Sequence, residues 1–148
     1  MTKLGLGIAT ATLLLAAPFS AASSLAQTVG SCARGMSIGP NTPFVLFDLG
    51  SAALRPEAKP VIADAVAKAK AQQAVDFCVI GQTDKLGDKA MNEKLAAARA
   101  RAVAAEMIRV GAPAQKVIIA ANPEAFGNTS FGSMNASEKD RRVSILYK

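Results

Sequence analysis

Histidine is absent from these 148 residues, which removes the commonest general base and the commonest metal ligand. No paired-acid motif and no cluster of metal-ligating residues makes up for the loss, so a hydrolase or a metalloenzyme is hard to assemble from this chain. The expectation is therefore a protein that is not an enzyme, with no catalytic residue, no metal and no cofactor. Cysteine is scarce: Cys32 and Cys78 are the two. Internal repeats are missing, and so is any long apolar run beyond the first residues. What remains is 51% hydrophobic and 19% charged, a balance that builds a packed globular core rather than a disordered chain.

The start of the chain differs from the rest. Lys3 is followed by an apolar run from Leu4 to Ala17, and Ser24-Leu25-Ala26 supplies the small residues that precede a cleavage site. Residues 1–26 read as a signal peptide, cleaved before Gln27. Pro18 and the serines Ser20, Ser23 and Ser24 break the run before it is long enough to span a bilayer. The formal charge of +6 suits polyanionic surfaces in general, but export makes nucleic acid a poor partner. Two cysteines in an exported chain suggest one disulfide between Cys32 and Cys78. The rival reading takes Val29-Gly30-Ser31-Cys32 as a lipoprotein-processing box with Cys32 acylated, although polar residues separate it from the apolar run.

Residues 27–43 carry glycine, serine and proline without a hydrophobic period, as a linker or N-terminal arm would, and a domain is expected over 44–148. Phe44-Val45-Leu46-Phe47 predicts a buried strand running into a turn at Asp48-Leu49-Gly50-Ser51. A helix with Pro56 in its first turn follows, with Leu54, Ala58, Ile62, Ala65 and Ala69 inward and Lys59, Lys68 and Lys70 outward. A second strand covers Val75 to Ile80, closed by Gly81. The longest helix is expected from Met91 to Val110, stopped by Gly111 and Pro113. Lys116 to Ala120 and Arg142 to Tyr147 read as two further strands, separated by a surface excursion over residues 122–140. The order β-α-β-α-β-β implies an α+β sandwich: one mixed sheet covered by two helices.

One residue does not fit that pattern. On the long helix, Met91, Leu95, Ala98, Ala102, Val103 and Val110 fall in one broad apolar sector, and Arg99 falls inside it, while Arg101 points to the opposite side. An arginine on an apolar face must snorkel out, pair with a carboxylate, or grip a ligand. Asp84 and Asp88, in the loop before the helix, are the nearby carboxylates. Either a structural ion pair or a zwitterion clamp results; the clamp would hold a ligand ammonium on the carboxylate and a ligand carboxylate on the planar guanidinium.

Several stretches in order carry a resemblance: Phe47-Asp48 with Ser51-Ala52-Ala53-Leu54, then Gly81-Gln82-Thr83-Asp84-Lys85-Leu86-Gly87, Asn92-Glu93-Lys94-Leu95 with Ala98-Arg99-Ala100, and Asp140-Arg141-Arg142-Val143. From Phe44 to Lys148 the chain resembles the OmpA-like peptidoglycan-binding domain. The resemblance implies noncovalent binding of the diaminopimelate-containing stem peptide of peptidoglycan. Asp84 and Arg99 stand at the positions that hold the amino and carboxylate groups, Thr83 and Asn92 shape the pocket, and Arg141 lies on its rim. It further implies a periplasmic protein at the outer membrane or wall that contributes to envelope integrity, with envelope proteins as further partners. Gln82 stands where the family has histidine, Asp140 replaces an asparagine, and Ala121-Asn122-Pro123-Glu124 replaces a glycine-rich turn. Those departures keep a second reading open, a repurposed domain that binds periplasmic proteins instead of peptidoglycan.

Overall fold

Phe77–Gly81 is buried at every position, and a short apolar run of that kind forms a strand covered on both faces. It is the centre of the fold in the computed structural model, which describes residues 32–83, 88–121 and 138–148. The expected signal peptide, Asp84 and most of the expected 122–140 excursion lie outside the described residues. Among those residues the elements run β1 (Phe44–Leu46), α1 (Ala58–Ala71), β2 (Phe77–Gly81), α2 (Lys89–Arg109), β3 (Val117–Ala121) and β4 (Arg142–Tyr147). Single 3-10 turns occupy Ala114–Lys116 and Glu138–Asp140. The β-α-β-α-β-β order read from the sequence is the order observed. In the mixed sheet β1-β4-β2-β3, β3 runs parallel to β2 with Phe77 opposite Val117, whereas β4 is antiparallel to both β1 and β2, with Cys78 opposite Leu146.

Alternation along the strands sorts the two faces. Val45, Phe77, Val79, Val143 and Ile145 point to the helices and form the main core with Ile62, Ala65, Val66, Ala69, Ala100, Val103 and Met107. Cys78, Ile80, Ala120 and Leu146 point the other way, against Cys32, Ala33 and Met36. The segment expected as a linker or arm therefore covers the back of the sheet from residue 32 onward. It is fastened there by a Cys32–Cys78 disulfide with a Cα–Cα distance of 5.5 Å and by Lys148, whose Nζ donates to the Arg34 carbonyl at 2.7 Å. With both sulfurs in that bridge, the acylated alternative for Cys32 is closed.

The helices depart from expectation in instructive ways. On α1, Ala58, Ile62, Ala65, Val66 and Ala69 are buried, as the helical spacing predicts, but the helix starts after Pro56, with Glu57 as its N-cap. On α2 the buried set is Ala96, Arg99, Ala100, Val103, Ala104, Glu106 and Met107, whereas Met91, expected inside, is 63% exposed. The reason is contact geometry rather than hydrophobicity. A Cβ placed on Gly81 would collide with the Ala96 carbonyl and crowd the Ala100 side chain, so α2 lies backbone-to-backbone against β2 where both chains are small. That approach sets the rotation of the helix, and it carries Arg99 into the interior.

Candidate functional site

After β1 the chain enters the interior at Phe47, which is 0% exposed, and turns at Asp48 to Ser51. The Ser51 amide donates to the Asp48 carbonyl at 3.2 Å, and Gly50 takes φ +66°, a left-handed conformation that glycine adopts without a Cβ clash. Beside this turn β2 ends at Gly81, and the chain continues through Gln82 and Thr83. Arg99 reaches from α2 into the gap between the two segments.

The guanidinium of Arg99 is 0% exposed. Its Nε donates to the Ser51 carbonyl at 2.8 Å, Nη1 to the Gln82 carbonyl at 3.1 Å and Nη2 to the Asp48 carbonyl at 2.9 Å. Its Cζ lies 5.4 Å from the centroid of the Phe47 ring, within reach of a cation–π attraction. Snorkelling is thus ruled out, and a solution that the sequence did not suggest takes part: backbone dipoles solvate the buried charge. These bonds engage three of the five N–H donors and fix the plane of the fork. Asp88, one of two carboxylates proposed opposite Arg99, is instead the N-cap of α2 and accepts from the Met91 amide at 2.9 Å. Asp84, the other, lies outside the described residues.

Thr83 is 4% exposed, and its Oγ1 is buried without a hydrogen-bond partner. A buried hydroxyl left unpaired is unfavourable, so it calls for a reason. Asn92 is half-buried in the first turn of α2. It stands seven residues before Arg99, two helical turns and about 10 Å along the same side of the helix. Arg141 is half-buried beside the same turn: its Nε reaches the Phe47 carbonyl at 3.4 Å, and its own carbonyl accepts from the Phe47 amide at 2.9 Å. Thr83, Arg99 and Arg141 are therefore gathered around the end of β1 and the end of β2.

The departures from the family pattern fall mostly to the side. Gln82 is buried, and its Oε1 accepts from Arg142 Nε at 2.9 Å. Arg142 in turn lies over the Phe44 ring, so this group belongs to the sheet face away from the helices. Asp140 is exposed at the end of its 3-10 turn, and the acid of that turn that joins the site is Glu138. Arg55 donates from Nε to Asp48 Oδ1 at 3.0 Å and from Nη1 to Glu138 Oε1 at 3.0 Å, with Nη2 also on Asp48 Oδ1. Sequence reading missed Arg55 and Glu138, because a pair separated by 83 positions leaves no local pattern.

The profile of the OmpA family matches residues 46–144, about two-thirds of the chain. The chain belongs to the OmpA family. Solved structures agree on the OmpA-like fold. The OmpA-like domain of FopA1 from Francisella tularensis superposes with a TM-score of 0.61 at 23% identity, covering 76% of this chain and 79% of that one. The peptidoglycan-associated lipoprotein from Burkholderia pseudomallei gives 0.62 at 19% identity, covering 72% and 90%. The C-terminal domain of Helicobacter pylori MotB gives 0.60 at 19%, covering 74% and 85%. A comparison with curated protein sequences gives no match. At these identities the likeness speaks for the OmpA-like fold alone.

Proposed function

We propose that this chain binds peptidoglycan noncovalently through the stem peptide, as an exported periplasmic module that ties the wall to the rest of the envelope, and that it performs no covalent chemistry. The observation that carries the reading is the buried, carbonyl-oriented guanidinium of Arg99 next to the unpartnered hydroxyl of Thr83. A fork whose plane is already fixed loses little freedom on meeting a carboxylate, so the ordering has been done during folding. In this reading Asp84 takes the ammonium of diaminopimelate, Arg99 the carboxylate, and Thr83 a polar atom of the same group, with Asn92 and Arg141 shaping the sides. Family membership supports it. So do two structural neighbours, one a peptidoglycan-associated lipoprotein and one a periplasmic domain of MotB.

Cosedimentation of the mature protein with purified sacculi tests the proposal. Wild type should pellet, with little loss at high salt from the Arg99 contact, because a buried guanidinium is screened weakly. Asp84→Asn should stay in the supernatant while remaining folded. Thr83→Val removes an unpaired hydroxyl at nearly constant volume, so it should keep or raise stability and still weaken binding. Wild type that does not pellet, or an Asp84→Asn variant that pellets equally well, would sink the reading and direct attention to protein partners of the envelope.

A further inference from the structure

Asp48 is held from two sides. Inside the domain its carbonyl accepts from Arg99 Nη2; outside, its carboxylate accepts from Arg55 Nε and Nη2. Arg55 then spans to Glu138, whose carbonyl accepts from the Arg141 amide at 3.1 Å. Arg141 in turn exchanges bonds with Phe47, through its Nε and through its carbonyl. A closed circuit of contacts thus runs Arg99, Asp48, Arg55, Glu138, Arg141 and Phe47, and returns to Arg99 through the Phe47 ring. The circuit joins the 48–51 turn, Arg55 in the segment that leads into α1, and the 138–141 segment, three pieces of chain that share no secondary structure.

The geometry points to Arg55 as a positioning residue for the ligand site: a clasp that locks the 48–51 turn to the 138–141 segment, and thereby fixes the carbonyls that aim Arg99 and the backbone that carries Arg141. The inference rests on the peptidoglycan reading for what the site binds, but not for the clasp itself. Its setting supports a positioning role over a stabilising one. The Asp48 and Glu138 side chains are 65% and 53% exposed, and ion pairs at such positions contribute little to global stability. Arg55 itself is only 22% exposed, and its guanidinium bonds both carboxylates at once, which a lysine ammonium does with no fixed plane.

Two readouts on Arg55→Met, Glu138→Gln and the double variant test it. Amide hydrogen exchange should quicken at Phe47, Ser51 and Arg141, whose amides bond within the circuit, and stay unchanged in β2 and α2. The urea midpoint should stay close to that of wild type. In sacculus binding each single variant should lose affinity, by roughly tenfold, and the double variant should be no worse than either, because residues acting through one bridge do not add. Lys68→Met, which breaks the exposed Asp64–Lys68 pair on α1, should bind as wild type does. Unchanged exchange in Arg55→Met overturns the clasp outright. Faster exchange with unaltered binding overturns its role at the ligand site. Additive losses, or tighter binding by Glu138→Gln, would mean that Arg55 touches the ligand directly, and would overturn it as well. If wild type does not bind sacculi, the peptidoglycan reading fails, and the exchange data alone decide whether Arg55 locks the two segments.

Discussion

Arg99 and Glu106 are the charged side chains buried among the described residues, and each is accommodated differently. Arg99 is surrounded by carbonyls that the fold supplies. Glu106 is met by its own helix: Arg109 Nε donates to Oε2 at 2.8 Å and Nη2 to Oε1. Those hydrogen bonds hold the Glu106 carboxyl below the usual carboxylate value, against the opposing effect of burial. A depressed folded value means that the pair stabilises the protein above the ordinary titration range of a glutamate and stops doing so as pH falls through the lowered one. Urea midpoints between pH 7 and pH 3 should accordingly fall less steeply in Glu106→Gln than in wild type; parallel curves would show that the pair contributes nothing on folding. The anomaly at Arg99 was legible from the sequence because a charge inside an apolar sector is rare. The part of its solution that the carbonyls of Asp48, Ser51 and Gln82 supply was not, since backbone atoms carry no residue-type signature.

Elements were read well where residue types discriminate and poorly where they do not. Arg142 to Tyr147 was legible as a strand because it is a short run rich in β-branched and other apolar residues, and α1 because Ile62 and Val66 stand out among its alanines. On α2 alanine occupies so many positions that the hydrophobic sector is nearly flat, and the face that packs is chosen by steric fit to Gly81. Gly81→Ala should therefore be costly although it adds one methyl: β2 and α2 must separate along the Ala96 to Ala100 contact. The expected loss is about 1–3 kcal/mol, as for other overpacked cores, read from chemical denaturation. A variant as stable as wild type would mean that the helix can shift without penalty. Because Arg99 rides on the same helix, the variant should also weaken sacculus binding.

In the whole molecule the sheet is covered twice, by helices on one face and by the arm from residue 32 on the other. The arm was legible as a linker without a hydrophobic period, and the expected Cys32–Cys78 pairing was the one sign that it packs on the domain. The bridge closes a loop with a sequence separation of 46, which on a chain-entropy basis stabilises the fold by about 4 kcal/mol. Oxidised and reduced protein should differ by an amount of that order in urea unfolding, and coincident curves would show that the arm holds its place without the bond. The bridge also decides where force enters the domain. Tension applied ahead of residue 32 passes through Cys32 to Cys78 in β2, a strand hydrogen-bonded on both sides, and must shear two ladders together. Without the bond the same pull would arrive at β1, a three-residue edge strand that can be peeled away one pair at a time. Cys78 lies near one end of β2, and Thr83 follows its other end, so a load between residues ahead of Cys32 and a ligand held at the proposed site would run lengthwise along the best-supported strand of the fold.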